Sequence, residues 1–211
     1  MALNVLGNEV HAHKLFLAWQ SKYFETAFFG PFSEASAKVV ELHEDEPCAM
    51  QGLIALLYGE ASQTSAWFKE YQLSIHEGWD VDAYGEGVES KYMLYLIELY
   101  IAASKYLVEL ALGKIMSIFE DALSTQSFRW PTLIEHIYSI HAEAARAFRA
   151  QMVAYCAASS DDLRILTGGS AARESLLEFP EFSVDLLAAM VEVRGMKRST
   201  GPGVRKDELK A

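Results

Sequence analysis

Apolar and polar residues alternate along the first part of the chain, which predicts a small hairpin. Leu3 and Val5 have the two-residue period of a strand. Gly7-Asn8 predicts a tight two-residue turn, and residues 10–13 predict the returning strand. The chain is therefore expected to begin with two antiparallel strands.

A helical period follows the hairpin and predicts one helix that ends at Gly30-Pro31. Its apolar stripe consists of Leu17, Ser21, Phe24 and Phe28. Residues 38–42 then alternate as a third strand. Pro47, which directly follows Asp45-Glu46, suits the first turn of a second helix that runs to Tyr58-Gly59.

Beyond this point the pattern predicts a long insertion and then helices only. Residues 60–91 mix glycines and acidic residues with aromatic ones, and we expect 65–75 to be ordered and 78–90 to be mobile. Helical periods occupy 92–123, with a break near Lys105-Tyr106, then 130–158, and weaker stretches around Leu176 and 184–193. The predicted fold class is an α+β head followed by an all-α extension.

Composition narrows the class of protein. Of 211 residues, 51% are hydrophobic and 22% are charged, which suffices for a core and excludes general disorder. Basic residues number 18 and acidic residues 29, so the net charge is -11, and nucleic acid is not expected as a partner. The sequence shows neither a secretory signal pattern nor a membrane-spanning apolar run. With two cysteines only, we expect a cytoplasmic or nuclear location.

The residue types that support chemistry do not form a catalytic arrangement. His11 and His13 share a strand face but lack a third ligand, so no metal site is predicted. Cys48 and Cys156 are isolated thiols, better explained as buried small residues. Gly168-Gly169-Ser170 does not have the frame of a nucleophile elbow. An enzyme is not expected, and neither is a cofactor.

The run from His13 to Phe24, HKLFLAWQSKYF, resembles the signature of BTB/POZ domains, in which a His, a basic residue, a Leu, a Ser and a Phe recur at fixed spacing. Further segments resemble the family in the same order: Phe32-Ser33-Glu34-Ala35-Ser36, Val40-Glu41-Leu42, Leu56-Leu57-Tyr58-Gly59 and residues 99–107. The resemblance implies a small sheet flanked by helical hairpins. The trailing helices predicted for this chain resemble those of stand-alone fungal-type BTB proteins.

Domain limits follow from the same resemblance. The BTB/POZ domain is expected over 1–125 with the insertion at 60–91, a helical extension over 126–193, and a basic flexible tail over 194–211. The signature residues are interpreted as structural. His13 is expected to be buried and to bond to local backbone, and Ser21 is expected to let its helix approach the sheet closely.

The resemblance implies a protein–protein interaction module, most often an adaptor that links a partner to a cullin-based ubiquitin ligase. Phe32, Ser33 and Glu34 fit the hydrophobic-x-Glu element of cullin-binding members, with Tyr58 near the same surface. An exposed aromatic anchor beside a carboxylate is typical of such contacts. The alternative is that Phe32 folds back on the core and Glu34 is merely solvated.

A second function stays open: a homo-oligomerising scaffold or transcriptional co-regulator that does not bind cullin. Lys14, Trp19 and Tyr23 are candidates for a dimer surface. Because the N-terminal segment and the Asp that enlarge dimers in this family are not in the sequence, we expect a weak dimer or a monomer. The recruited partner is unknown; the aromatic residues that could bind it in the insertion are Trp67, Phe68 and Tyr71. No membrane contact is expected.

Overall fold

The computed structural model describes residues 1–42, 45–59, 88–125, 130–140, 143, 145–158 and 176–199. The contacts between Cα atoms divide the chain into two compact units, Met1–Phe148 and Arg149–Ala211. The predicted α+β head with an all-α continuation is confirmed. The predicted insertion residues Trp67, Phe68 and Tyr71 lie outside the described residues, as do 60–87 as a whole.

A three-stranded sheet forms the start of the first unit, in the order β2-β1-β3. Its strands are β1 (Ala2–Val5), β2 (Asn8–His11) and β3 (Val39–Leu42). β1 is antiparallel to β2 and parallel to β3. Leu3, Val5, Val40 and Leu42 are buried on the sheet.

The hairpin turn lies one residue earlier than predicted. Val5 pairs with Asn8, so the two turn residues are Leu6 and Gly7 rather than Gly7-Asn8. Both have positive φ, 48° and 88° respectively, the geometry of a turn that matches the twist of paired strands. Gly7 adopts this backbone conformation without strain, whereas Leu6 is an unusual choice there.

The single helix predicted after the hairpin is two helices, α1 (Lys14–Gln20) and α2 (Lys22–Phe29). Ser21 between them is extended, with φ -140° and ψ 122°, and its side chain accepts a hydrogen bond from the Phe24 N–H. It is therefore the N-cap of α2 rather than a small residue inside a helix. A 3-10 turn, η1 (Ser33–Ala35), follows before β3.

Two helices pack across the first unit: α3 (Pro47–Leu57) and α4 (Val88–Lys105). As predicted, Pro47 opens α3, and the Glu46 carboxylate caps it by accepting from the Ala49 N–H at 2.7 Å. α4 begins at Val88, four residues before the helix predicted from Tyr92, and so includes the last residues of the predicted insertion. Its end at Lys105 agrees with the predicted break.

The remaining helices are α5 (Glu109–Thr125), α6 (Trp130–Ser139), α7 (Ala145–Ala158) and α8 (Pro180–Ser199). The predicted helix over 130–158 is thus two helices. α8 continues through the first residues of the tail that was predicted to be flexible from Arg194 onward. The domain limits at 125/126 and 193/194 otherwise stay predictions.

Candidate functional site

Phe32 stands at the start of η1 with 54% of its surface exposed. Its position follows from Gly30: a Cβ there would collide with the Thr26 carbonyl oxygen and would lie 3.1 Å from the Phe32 ring. Glycine at this position lets the chain leave α2 sharply and present the next aromatic residue outward. The alternative in which Phe32 folds back into the core is not what the structure shows.

Ser33 and Glu34 form the first turn of η1 beside this ring. The Ser33 hydroxyl donates to Glu34 Oε2 at 3.0 Å, so the carboxylate has a defined local partner. Ser33 is exposed and Glu34 is half-buried. An exposed aromatic ring thus stands two residues before an oriented negative charge.

Lys14 fixes this turn from α1. Its Nζ donates to the carbonyl oxygens of Glu34 at 3.2 Å and Ala35 at 2.8 Å, and it lies 5.5 Å from the centre of the Phe28 ring. The positive charge satisfies carbonyl groups at the end of a helical turn, where cations are favoured. The structure therefore places Lys14 under η1, as a residue that holds the Phe32 turn in place.

Tyr58, at the end of α3, is held by the residue next to Lys14. The His13 N–H donates to Tyr58 Oη at 3.0 Å, and His13 Nδ1 lies 2.7 Å from the same oxygen. Phe16 stacks on the Tyr58 ring with the centroids 4.2 Å apart. His13 is exposed, so the expectation that it is buried and bonds to local backbone is wrong.

The consecutive residues His13 and Lys14 therefore hold two separate parts of the chain. One binds the end of α3 and the other binds η1. We call Phe32, Ser33, Glu34 and Tyr58 the anchor surface. Within it, Lys14 of α1 holds the backbone of η1, and His13, the residue before α1, holds the side-chain hydroxyl of Tyr58.

A second exposed group lies on α1 and the start of α2. Leu15 and Trp19, one helical turn apart, are 76% and 85% exposed, and Tyr23 is 39% exposed. The Tyr23 ring packs edge-on against Tyr106 at 4.9 Å. We call Leu15, Trp19 and Tyr23 the α1 surface. An exposed aliphatic and aromatic stripe of this kind is typical of interaction faces.

A buried polar network, which the sequence analysis missed, holds these elements together. Both Asp45 carboxylate oxygens lie 3.0 Å from Lys105 Nζ, and Tyr106 Oη donates a short hydrogen bond to Asp45 Oδ2. The Ser21 hydroxyl donates to the Tyr106 carbonyl oxygen at 2.6 Å. Asp45 is only 6% exposed, so its charge requires these partners. Lys105-Tyr106, which lies within the segment 99–107 that resembles the family, was the available signal in the sequence.

Burial raises the pKa of the Tyr106 hydroxyl above its ordinary value, and the hydrogen bond to the Asp45 carboxylate raises it further. The phenol is therefore a stable proton donor to Asp45 rather than a reactive group. Among the described residues no group of His, Cys, Asp and Glu side chains could hold a metal ion. In the same part of the chain, no helix is both long and apolar enough to cross a membrane.

Comparison with known proteins agrees with this geometry. Residues 1–82 match the sequence model of the family described as BTB/POZ domain. A 57-residue segment is 44% identical to "BTB and MATH domain-containing protein 15" of Caenorhabditis elegans. That segment covers 26% of this chain and 21% of the relative, so the chain spans about a fifth of the length of the curated relative it matches.

The N-terminal part of the chain is therefore a BTB/POZ domain, as the resemblance implied. This domain is a protein–protein interaction module, and its partners are proteins. The predicted fold, a small sheet with flanking helices followed by further helices, is confirmed by the sheet and helix order described above.

Proposed function

We propose that this protein is an adaptor that binds the cullin scaffold of a ubiquitin ligase through the anchor surface. The observation that carries the proposal is Phe32, exposed and presented from a turn that Gly30 and Lys14 hold in place. An exposed aromatic ring on a fixed backbone loses little conformational freedom on binding, so more of its burial contributes to affinity. Glu34 supplies the polar contact that fixes orientation.

Tyr58 extends the same proposal to the end of α3. Tyr58 is 37% exposed. Because its ring is stacked on Phe16 and its hydroxyl is held by His13, the side chain is already oriented. Preorganised aromatic side chains are frequent among residues that dominate binding energy. The recruited protein would then bind elsewhere, and Trp67, Phe68 and Tyr71 of the insertion stay the predicted contacts. We place this activity in the cytoplasm or the nucleus.

The test measures binding of the purified chain to the N-terminal domains of cullin scaffolds by calorimetry. The Phe32→Ala variant should lose about 2 kcal/mol or more of binding free energy, about thirtyfold in affinity, because it removes the anchor ring. Its melting temperature should change little. Phe29→Ala is the matched control, since Phe29 is 59% exposed and lies on the preceding helix.

Two results would contradict the adaptor proposal. One is the absence of binding between the wild-type chain and every cullin domain tested. The other is an equal loss of affinity in Phe29→Ala, which would show that exposed rings near η1 contribute without specificity. A large fall in melting temperature for Phe32→Ala would assign the ring to folding instead.

The second candidate, a self-associating scaffold or co-regulator, rests on the α1 surface. Trp19 is 85% exposed, more than any other large apolar side chain of the described residues, and Leu15 extends the same stripe. An exposed tryptophan beside an exposed leucine on the same helix face forms a contiguous apolar patch, the kind of surface that a protein partner covers. In this reading Lys14 contributes by holding α1 to η1, and Trp19 and Tyr23 supply the contact.

A further inference from the structure

The turn η1 has little intrinsic stability. Its hydrogen bonds run from the N–H groups of Ala35, Ser36 and Ala37 to the carbonyl oxygens of residues 32–34, each at 3.2 Å. Hydrogen bonds of the 3-10 type have poorer geometry than those of an α-helix, and so short a helical segment is unstable alone. None of its three residues is buried, so burial of its own side chains does not hold it either. Its conformation therefore depends on contacts from other parts of the chain.

Lys14 makes such contacts, and its charge has no acidic counterpart. Its partly buried Nζ donates to the carbonyl oxygens of Glu34 at 3.2 Å and of Ala35 at 2.8 Å. In the described part of the chain, Lys22 and Lys105 pair with carboxylates, whereas no Asp or Glu side chain pairs with Lys14. A partly buried charge needs polar partners, and hydrogen bonds from an ammonium group are stronger than those between neutral groups. The two carbonyl groups of η1 are thus the partners that offset the burial of this ammonium group.

We propose that Lys14 is the positioning residue of the anchor surface. Its ammonium group fixes η1, so that Phe32 and Glu34 are presented in the geometry that a protein partner binds, and it does not contact that partner itself. The inference rests on the proposed adaptor function, and it assigns Lys14 to the anchor surface rather than to a self-association surface. When η1 is not held, the turn must be ordered on binding, and that entropy cost lowers the affinity.

The first measurement is made on the free protein and does not involve cullin. Lys14→Met keeps an unbranched side chain beside the Phe28 ring but removes the charge and the donors. We expect the backbone NMR order parameters of residues 33–36 to fall from about 0.85 to below about 0.6, while those of β1 stay the same. A loss of overall stability alone would not loosen η1 selectively.

Two variants serve as controls for this measurement. Lys22→Met removes the same charge from a side chain that is 72% exposed and pairs with Glu25 on the surface, so η1 should stay ordered. Lys14→Arg keeps a cation with several donors and should restore most of the order of the turn. Circular dichroism melting shows whether each variant folds, and Lys14→Gln, which is neutral but polar, replaces Lys14→Met if that variant does not.

The second measurement is the binding of the full chain to the N-terminal domains of cullin scaffolds by calorimetry. We expect Lys14→Met to weaken binding at least about tenfold, which is about 1.4 kcal/mol, and Lys22→Met to leave it unchanged. In the Phe32→Ala background, Lys14→Met should weaken binding by less than about threefold, because Lys14 acts through the turn that presents this ring. Non-additivity of this kind distinguishes a positioning residue from one that contacts the partner.

Three outcomes would overturn the inference. Unchanged order parameters in Lys14→Met would show that η1 does not need the ammonium group. A loosened turn with full affinity would show that the partner does not depend on a fixed η1. An equal loss of affinity with and without the Phe32 ring would place Lys14 in direct contact with the partner. If the wild-type chain bound no cullin domain, the adaptor proposal would be wrong, whereas the order parameters would still decide whether Lys14 fixes η1.

Discussion

Tyr106 joins three parts of the first structural unit at the scale of a single residue. Its hydroxyl donates to Asp45 beside the start of α3, and its carbonyl oxygen accepts from Ser21 between α1 and α2. The Phe24 ring stacks on its ring, with the centroids 5.2 Å apart. One residue, through its side chain and its backbone carbonyl, therefore links the junction of α1 and α2 to the start of α3.

Replacing Tyr106 by phenylalanine tests this role. The Tyr106→Phe variant keeps the ring contacts but removes the phenol that donates to Asp45 Oδ2, so that Lys105 is left to pair with this carboxylate. Because a buried carboxylate is costly when under-satisfied, we expect the free energy of unfolding in urea to fall by about 1–3 kcal/mol. Tyr23→Phe, at a residue that is 39% exposed, should change it by less than about 0.5 kcal/mol. If the two variants lowered the free energy of unfolding equally, the Tyr106 hydroxyl would have no special role in stability.

Whereas Tyr106 acts through its side chain, Gly52 matters because it has none. It lies within α3 where a Cβ would collide with Tyr95 Oη and would lie 3.3 Å from Leu99 Cδ1, and both side chains are fully buried. The close approach of α3 and α4 therefore depends on glycine at this position.

We expect Gly52→Ala to lower the free energy of unfolding. Alanine gains about 1 kcal/mol in helix propensity, but overpacking a buried contact with a rigid aromatic ring costs about 1–3 kcal/mol or more. Gly113→Ala in α5 is the control, since no atom lies within 4 Å of its added Cβ, and it should stabilise the protein. Stabilisation by both substitutions would show that α3 and α4 can separate without cost.

At the scale of elements, Ser21 explains where sequence periodicity fails. The stripe of Leu17, Ser21, Phe24 and Phe28 has helical spacing, yet the backbone is extended at Ser21. The hydroxyl bonds to Phe24 N and to the carbonyl oxygen of Tyr106, which is 85 residues away. Both short helices turn their apolar residues to the same core, so the spacing continues through a break that depends on a distant partner.

The candidate site was predictable to the extent that it is local. Phe32, Ser33 and Glu34 are recognisable from their order, and the Pro47 helix start follows from neighbouring residues alone. The contacts of Lys14 with η1 and of His13 with Tyr58 span 20 to 45 residues, and single-sequence patterns carry no signal for them. The sequence therefore predicted the exposed residues of the anchor surface, but not the contacts by which Lys14 and His13 fix their positions.

The carboxyl of Glu46, at the N-terminus of α3, makes the folding stability depend on pH. Burial is the main cause that raises the pKa of its carboxyl above the ordinary value, and the hydrogen bond from the Ala49 N–H offsets only part of it. Because the pKa of this carboxyl is raised in the folded protein, the folded state binds the proton more tightly than the unfolded state does. Its stabilising contribution is therefore complete below the ordinary pKa of 4.5 and is lost as pH rises through the folded value.

The Glu46→Gln variant keeps an oxygen that can accept from the Ala49 N–H but does not titrate. We expect the difference in unfolding free energy, wild type minus variant, to decrease as pH rises from 4.5 through the raised pKa and then to level off. Denaturant unfolding at a series of pH values measures it. A difference that increases with pH would mean that the helix dipole and the Ala49 contact outweigh the cost of burial.

At the scale of the whole molecule, the BTB/POZ match and the structural unit have different limits. The family match ends at residue 82, whereas Lys105 and Tyr106 complete the network that holds α1, α2 and α3. Helix α4 is thus required for the geometry of the matched part. A fragment that stops at 82 would leave Asp45 buried without its cation and its phenol donor. The domain limit near residue 125 stays a prediction.

Self-association is the property of the whole chain that separates the two proposed functions. The exposed part of the α1 surface is limited to Leu15, Trp19 and Tyr23. Stable interfaces bury about 1,200 Å² or more, so a contact centred on three side chains is expected to be weak. Light scattering should show a monomer at low micromolar concentration, with an average mass that rises as the protein is concentrated.

In the same measurement, Trp19→Glu should keep the chain monomeric at every concentration, because it places a charge in the centre of the contact. Leu187→Glu is the control, because Leu187 is 63% exposed on α8, a helix of the second unit, and is not part of the α1 surface. This variant should associate as the wild type does. A stable dimer that tolerates Trp19→Glu would exclude the α1 surface as the interface. If that dimer dissociated in Leu187→Glu, α8 would be assigned as the interface instead.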